Sequence, residues 1–232
     1  MTSLPSELEA KPKVNPLLRE HQKYYIGKGK KQVSGVTTII DQNLGWKYPA
    51  LLGWTKKQLR QGIDPDASMN EAGTVGTLVH AMIEAQFSGK EVDMQFFSPS
   101  QQGLARVAYS AFLLWWNKQK YEVIGAELQL VHKTLRYGGT IDLLCKSKHG
   151  KVKILTLIDF KSSSAIYLDH RIQASAYQQL VFHKYKKVPE VIILHLNKET
   201  GSPTPHPFPT LTKEWEVFKT CLKLHRLHNL IK

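Results

Sequence analysis

The chain has 232 residues, and its 32 lysines and arginines against 19 aspartates and glutamates give a formal net charge of +13. Hydrophobic residues make up 42%, so the composition excludes a globally disordered chain, and the positive charge favours a polyanionic partner such as nucleic acid. Two cysteines cannot form a four-cysteine zinc or iron–sulfur site. With no signal core and no membrane-length apolar run, an intracellular, soluble protein is expected.

The N-terminal third predicts an arm followed by helices. Residues 1–33 are polar and contain three prolines, which indicates a flexible basic arm before a single domain over 34–232. The β-branched run Val33–Ile40 is typical of a strand. Apolar residues at helical spacing then predict three helices, over Ala50–Gly62, Gly73–Gly89 and Leu104–Gln119.

The hydrophobic period changes in the second half, where the order helix, three strands, helix, strand places a core over about 73–198. Gly201–Pro209 is rich in proline and is expected to be a loop. The predicted strands are Tyr121–His132, Tyr137–Lys146, Lys151–Lys161 and Glu190–Asn197, and the predicted helices are His170–Tyr185, with Asp169 as its cap, and about 211–230.

Two aspartates lie inside apolar strands, where an unpaired carboxylate is costly to desolvate. A Gly150–Lys151 turn of type II′ would pair His149 with Val152 and place Asp142 directly opposite Asp159. A His149–Gly150 turn would make the two aspartates diagonal neighbours on the same face. Either turn brings the carboxylates together, and the period of two adds Lys161 to the face of Asp159.

Two adjacent carboxylates repel each other unless a cation lies between them. Asp142 and Asp159 therefore predict a Mg²⁺ or Mn²⁺ site, since hard cations prefer carboxylate oxygens. The structural alternative is an Asp–Lys salt bridge at a sheet edge. The glycine pair Gly138–Gly139 would let another backbone approach closely.

Four further polar residues lie on the helices and strands that flank the two aspartates in the sequence. Glu127 lies in the first strand and His80 on the Gly73–Gly89 helix, where imidazole is a good metal ligand. Gln173 and Tyr177 are four residues apart and share a helix face. Each of the four also has an ordinary structural explanation as a surface or core residue.

Together these residues resemble the PD-(D/E)xK nuclease superfamily, and within it the RecB-like branch. The aspartate that the family carries after a glycine-bearing strand start matches GGTID at Asp142. Its D/E-x-K motif matches IDFK at Asp159 and Lys161.

The remaining motifs follow in the same order over about 80–197. The Q-x-x-x-Y motif matches QASAY at Gln173 and Tyr177, and the upstream histidine matches GTLVH at His80. Glu127 lies where members often carry an acidic residue one strand earlier. VTTII…ALLGWTKKQL is also similar to the start of stand-alone phage and mitochondrial genome-maintenance exonucleases.

The resemblance implies a restriction-endonuclease-like α/β core, with a mixed sheet and extra helices at both ends, and Mg²⁺- or Mn²⁺-dependent hydrolysis of DNA without an iron–sulfur cluster. Asp142, Asp159, His80, the Phe160 carbonyl and, less directly, Glu127 would hold the ion. Lys161 would orient water or stabilise charge, with Gln173 and Tyr177 lining the site.

The expected protein is an exonuclease acting on single-stranded DNA ends in replication, recombination or repair, with DNA and proteins of those processes as partners and no membrane. The alternatives are a structure-specific or RNA-directed endonuclease and a non-catalytic DNA-binding subunit. Tryptophans 54, 115 and 116 are either core residues or base-stacking platforms.

Overall fold

The computed structural model describes residues 13–18, 22–27, 31–149 and 152–231. Across these residues the fold is mixed α/β, with a five-stranded mixed sheet and six α-helices. In chain order the elements are β1 (Lys13–Val14), β2 (Tyr24–Ile26), β3 (Lys31–Val33), α1 (Val36–Asn43), α2 (Tyr48–Arg60), α3 (Pro65–Ser88), β4 (Glu91–Val92), α4 (Pro99–Trp116), β5 (Glu122–His132), β6 (Tyr137–His149), β7 (Val152–Lys161), α5 (Leu168–Tyr185), β8 (Glu190–Leu196), β9 (Pro203–Phe208) and α6 (Thr212–Leu230).

The sheet has the strand order β5-β6-β7-β8-β9. β5, β6 and β7 form an antiparallel meander, α5 crosses over to β8, and β8 runs parallel to β7. The order α4, three strands, α5, strand is the restriction-endonuclease-like core that the sequence predicts, and the predicted fold class is confirmed. α1 to α3 precede this core and α6 follows it.

Each face of the sheet carries its own apolar cluster. One cluster packs α1, α5 and α6 against the sheet around Ile141, Leu157 and Phe218. The other packs α3 and α4 against the opposite face, around Phe112 and Phe160. The strands are buried on both faces, which explains their nearly continuous apolar sequences.

The β6–β7 hairpin has the register that the Gly150–Lys151 turn predicts. Pairing runs from His149 with Val152 to Leu143 with Ile158. The two turn residues lie outside the described part of the chain. Continuing the register by one position places Asp142 opposite Asp159, as expected from the sequence.

The structure corrects the prediction of a strand over Val33–Ile40. Val36–Asn43 is helical, and Val36, Ile39 and Ile40 are its buried residues. Their spacing of three and four residues gives a helix one apolar face, and packing of that face outweighs the strand preference of β-branched residues.

The proline-rich segment Gly201–Pro209 is not a loop throughout, because β9 pairs with β8. Pro203, Pro205 and Pro207 alternate along β9, so their missing N–H groups all fall on one edge of the strand. Since β9 is the last strand of the sheet, that edge needs no donors. Alternating prolines are therefore compatible with an edge strand.

Two helix starts also differ from the predictions. α3 begins at Pro65 rather than Gly73, with Asp64 as N-cap accepting a hydrogen bond from the Asp66 amide. Tyr167, not Asp169, is the N-cap of α5. Asp169 lies in the first turn of that helix, where a negative charge is favourable.

The described part of residues 1–33 makes specific contacts with the rest of the molecule. β1 pairs in parallel with β4, and β2 pairs with β3. The division into an arm and a domain at residue 33 stays a prediction. Among the described residues, no helix combines the length and apolar character needed to cross a membrane.

Candidate metal centre

Three acidic residues occupy one row across β5, β6 and β7. Glu127 and Asp142 fall opposite each other, since the pairs Ala126 with Leu143 and Leu128 with Ile141 flank them. Asp159 comes next in the same row by the register of the β6–β7 hairpin. Three carboxylates side by side in a sheet repel one another unless cations neutralise them.

Glu127 interrupts its strand with a left-handed backbone, φ 51°. A pairing irregularity between Val123 and Gly125 lies just before it. A left-handed conformation costs a residue other than glycine about 1 to 3 kcal/mol and is found mostly where the surrounding structure imposes it. Bulges and strained residues of this kind are over-represented beside functional sites.

His80 reaches this row from α3. Val79 and Ile83 anchor the helix in the core, and Gly76 lies beside Ser162, the residue that follows β7. Nδ1 of His80 lies 3.5 Å from Asp142 Oδ1 and 3.9 Å from Glu127 Oε1.

His80, Glu127 and Asp142 thus form a group whose potential ligand atoms all lie within 4.8 Å of one another. We call this the metal group. The imidazole is 28% exposed, so solvent can reach it.

Phe160 contacts two members of the metal group, Asp142 through its backbone and His80 through its ring. Asp142 Oδ2 accepts a 2.7 Å hydrogen bond from the Phe160 amide, which ties β6 to β7 where the ladder ends. The Phe160 ring packs edge-on against His80 at 6.0 Å and against Phe112 at 5.5 Å. Phe160 therefore faces the α3–α4 cluster, as expected for the residue between Asp159 and Lys161.

Asp159 and Lys161 form a separate ion pair beside the metal group. Asp159 Oδ2 lies 2.7 Å from Lys161 Nζ, and the two side chains are 1% and 15% exposed. Asp159 Oδ1 has no hydrogen-bond partner among the residues described. A buried carboxylate oxygen without a donor is costly, and a cation is one group that would satisfy it.

Burial and the neighbouring charges together lower the pKa of Asp142 and raise the pKa values of Asp159 and His80. Burial alone would raise the pKa of Asp142, but His80 and Lys161 outweigh burial and hold it below its ordinary value. Burial raises the pKa of Asp159 to about 6, and Asp142 adds to this while Lys161 opposes it. Burial lowers the pKa of His80, but Asp142 and Glu127 together raise it to about 10.

Gln173 and Tyr177 lie on the α5 side of the sheet and contact each other. Gln173 Nε2 donates to the Tyr177 hydroxyl at 2.9 Å. The ring of Tyr177 covers Gly139, where a Cβ would come within 2.7 Å of it. Burial, with Asp159 and Asp142 nearby, raises the pKa of Tyr177 well above its ordinary value.

Gly138 admits the close backbone approach expected of the glycine pair. Its N–H donates to the Ser34 carbonyl at 3.0 Å, and it forms an isolated parallel bridge with Gly35. The ring of Tyr24 lies over it, and a Cβ at Gly138 would come within 2.2 Å of that ring.

The structure brings the residues predicted from the sequence into one neighbourhood, in two halves. His80, Glu127 and Asp142 form the metal group, while Asp159 pairs with Lys161. Of the tryptophans, Trp115 is a core residue and Trp116 packs against the same cluster.

Sequence reasoning missed His170 and Lys198. Both line a cavity of about 310 Å³ together with His80 and Lys161. Lys198 follows β8 as Lys161 ends the parallel strand β7, and the carboxyl ends of parallel strands share a sheet edge. That signal was available. His170 has no comparable signal, because the position of α5 over the cavity depends on tertiary packing.

The residues present fit a divalent cation. Two carboxylates and an imidazole suit Mg²⁺ or Mn²⁺, and Asp159 is the next carboxylate in the row. The orphaned oxygen of Asp159 and the crowding of three carboxylates both favour a cation here. The geometry thus supports a divalent metal.

Comparisons with known proteins add little to this geometry. No family model matches the chain, and no curated protein does. Twenty-four chains of solved structures match, among them one from Eubacterium rectale described as "Putative exonuclease". It is 13% identical with a TM-score of 0.39, and the match covers 69% of this chain and 66% of that one, just under two thirds of its length. A likeness this distant carries no argument about activity.

Proposed function

We propose that the protein is a Mg²⁺- or Mn²⁺-dependent nuclease that hydrolyses phosphodiester bonds in DNA. The observation that carries the proposal is the metal group beside the buried Asp159–Lys161 pair. A structural salt bridge needs neither a second and third carboxylate in the row nor a histidine on a separate helix. The motif resemblance to RecB-like nucleases supports the same function.

His80, Glu127 and Asp142 would hold the ion, with Asp159 and the Phe160 carbonyl as further ligands. When bound, such an ion lowers the pKa of a coordinated water and stabilises negative charge on a phosphate. The ion's charge would also favour the ionised carboxylates and the neutral imidazole that ligation needs.

Lys161 would supply a positive charge to the attacking water or to the phosphate. Asp159 holds Nζ in place, and Lys161 lines the same cavity as His80, which places an ammonium beside the metal group. Lys198 and His170 line that cavity too, so an anionic phosphate entering it meets further nitrogen donors. Gln173 and Tyr177 support the site from the α5 side.

Within this function we favour an exonuclease that prefers single strands. α2 has no buried residue, and it connects a segment that contacts α5 with the start of α3; α5 and α3 both contribute residues to the cavity. Before α2, Lys47 forms a 3.5 Å ion pair with Asp169 in the first turn of α5. After α2 comes α3, which contributes Ala72 and Gly73 to the cavity.

A helix connecting these two elements would cover the metal group, and a strand would then have to thread beneath it. Threading requires a free end, and a single strand needs a narrower passage than a duplex. Such an enzyme would act in DNA replication, recombination or repair, alongside proteins of those processes, inside the cell.

The test uses end-labelled single-stranded, duplex and covalently closed circular DNA and a single-stranded RNA of the same sequence, with Mg²⁺ or with EDTA. We expect rapid Mg²⁺-dependent loss of linear single strands and survival of the closed circle. Cleavage of the closed circle would establish an endonuclease, and preference for an RNA substrate would redirect the proposal. DNA binding without hydrolysis under either metal would establish a non-catalytic subunit. Removal of residues 1–30 should reduce end preference before it reduces hydrolysis.

A further inference from the structure

A second cavity of the molecule has the chemistry of an anion-binding surface. This cleft lies between β2, β3, the start of α1 and the C-terminal part of α6, and its volume is about 920 Å³. None of the described residues that line it is aspartate or glutamate. Its four cationic residues are Lys23, Lys31, Arg136 and Arg226.

Neutral hydrogen-bonding groups lie between these cations. Ser34 Oγ and His225 Nε2 are 2.8 Å apart, and Asn229 Nδ2 lies 3.2 Å from the same His225 nitrogen. These contacts fix one wall of the cleft. Gln32 and Thr38 add an amide and a hydroxyl. Amides, hydroxyls and cations together are the groups that proteins use to contact sugar and phosphate.

The cleft leads toward the metal group. Tyr24 lines it, and its hydroxyl lies 3.0 Å from Thr140 Oγ1. Gln22 also lines the cleft, and its Oε1 accepts a hydrogen bond from the Thr140 hydroxyl. Thr140 is two residues before Asp142 on β6. The Tyr24 ring packs on Gly138, and this contact fixes the Tyr24 side chain next to Thr140.

The neighbouring cavity has the opposite charge. Gln22 borders it as well, but Glu84, Glu91 and Glu127 line it against Lys90. Glu127 belongs to the metal group, but the carboxylates of Glu84 and Glu91 would repel a phosphate chain that leaves the site on this side. Of these two cavities, the cleft is thus the one whose described lining is compatible with a polyanion.

We propose that the cleft binds the sugar–phosphate backbone of a single-stranded polynucleotide, next to the bond that the metal group cleaves. The inference rests on the proposed nuclease function and adds the path of the strand. Among the lining residues that the structure describes, four cations and no carboxylate match a chain of diesters. The volume lies at the upper end of the roughly 300–1,000 Å³ of small-molecule sites, which leaves room for more than one nucleotide.

The test compares two double variants of the full chain with the same net charge. Lys23→Gln with Lys31→Gln removes two cations of the cleft, and both side chains are exposed. Lys118→Gln with Lys120→Gln removes two exposed lysines that follow α4, outside the cleft. Binding of a fluorescent oligothymidylate is measured by anisotropy in EDTA over a range of salt concentrations, so that no cleavage occurs.

The cleft variant should bind roughly 10- to 30-fold more weakly at about 0.1 M salt, since each lost phosphate contact of a single strand lowers the slope of log K against log salt by about 0.7. Its slope should be shallower by about 1.4 for two contacts. The Lys118/Lys120 variant should differ much less from the unmodified protein. Equal losses in the two variants would overturn the proposal, because they would report net charge alone.

Two further measurements separate this proposal from the function on which it rests. Hydrolysis of bis(p-nitrophenyl) phosphate, which is too small to reach the cleft, should be unchanged in the cleft variant. If the unmodified protein hydrolyses no substrate yet the cleft variant still loses oligonucleotide affinity, the proposed nuclease activity is wrong but the proposed binding of a polynucleotide in the cleft is supported. Competition by polyglutamate as effective as by oligothymidylate would overturn the cleft as a polynucleotide site.

Discussion

The metal group and the Asp159–Lys161 pair share one row of three carboxylates, but the charges of the two groups have different surroundings. In the metal group, an imidazole faces two carboxylates at 3.5 and 3.9 Å, and solvent reaches it. In the pair, a carboxylate and an ammonium are buried together at 2.7 Å. The metal group offers ligand atoms to an ion that has to bind, whereas in the second arrangement the lysine side chain itself supplies the positive charge.

This difference shows how one short motif can serve two purposes. In IDFK, Asp159 positions Lys161 directly, while the amide of the intervening Phe160 holds Asp142 of the next strand. The motif thus connects the two halves through a backbone hydrogen bond. Substitutions that separate metal binding from charge stabilisation test whether the halves act as distinct units.

The largest effect is expected from the two aspartates. Asp142→Asn and Asp159→Asn should each reduce Mg²⁺-dependent cleavage by about 10³-fold or more, because each removes a negative charge from the row while keeping its shape. Mn²⁺ affinity, measured by calorimetry, should fall further for Asp142→Asn, which alters the metal group itself.

Equal losses of Mn²⁺ affinity in the two variants would show that Asp142 and Asp159 contribute equally to binding the ion. The division into a metal group and a separate ion pair would then be wrong. Near-normal cleavage by the Asp159→Asn variant would show that this row of carboxylates is not the catalytic site. Circular dichroism and oligonucleotide binding in EDTA serve as controls for folding.

Lys161→Ala should lower kcat by about 10²- to 10³-fold, as expected for loss of one charge-stabilising donor. Mn²⁺ binding should persist, since lysine is not a ligand. A matched Lys146→Ala variant changes an exposed lysine of β6 that pairs with Glu122 outside the site, and it should retain its activity. If Lys161→Ala loses metal binding as completely as Asp142→Asn, the proposed separation of roles is incorrect.

Metal binding should release about one proton at pH 7 to 8. The carboxylates raise the pKa of His80 to about 10, so its imidazole is protonated at neutral pH, and ligation requires the neutral form. Apparent Mn²⁺ affinity should therefore increase with pH, by up to about tenfold per unit below that pKa.

Calorimetry in buffers of different ionisation enthalpy measures the released proton directly. His80→Asn should abolish the release and weaken Mn²⁺ binding by about 10- to 100-fold, whereas His228→Asn, on the exposed side of α6, should do neither. Proton release that persists in the His80 variant would assign it to another group.

The smallest expected effect concerns the backbone at Glu127. Glu127→Gly removes a ligand but suits the left-handed φ of 51°. Mn²⁺ affinity should fall, while the free energy of unfolding of the metal-free protein should stay within about 1 kcal/mol or rise. Glu127→Gln is the control that keeps the backbone strain. Destabilisation of the glycine variant by several kcal/mol would mean that this side chain mainly supports the fold.

Much of the fold could be predicted because it depends on local periodicity. The three-stranded meander, the α5 crossover and the hairpin register all follow from the apolar runs, their lengths and one glycine-containing turn. The strand predicted over Val33–Ile40 failed because its β-branched residues also fit one helix face, and only packing against α5 and α6 decides between the two. Alternating prolines gave β9 the appearance of a loop, because sequence alone does not show which strand is last.

The candidate site was predictable as a set of residues but not as an arrangement. Spacing on β6 and β7 predicts that Asp142 and Asp159 are neighbours, and a resemblance adds His80 and Glu127. The left-handed backbone at Glu127 has no local signal, since glutamate rarely adopts it. The hydrogen bond from the Phe160 amide to Asp142 depends on where the ladder ends, which tertiary packing sets.

The prolines of β9 also bear on how the molecule behaves at high concentration. An exposed sheet edge normally offers alternating donors and acceptors to the strand of another molecule, which is how intermolecular β-sheets grow. Along the outer edge of β9, Pro203, Pro205 and Pro207 leave carbonyl groups without the matching N–H donors. A second strand would find acceptors there and too few donors to form a ladder. The sheet is thus chemically terminated at this edge, and replacing the three prolines with threonine should increase aggregation during refolding.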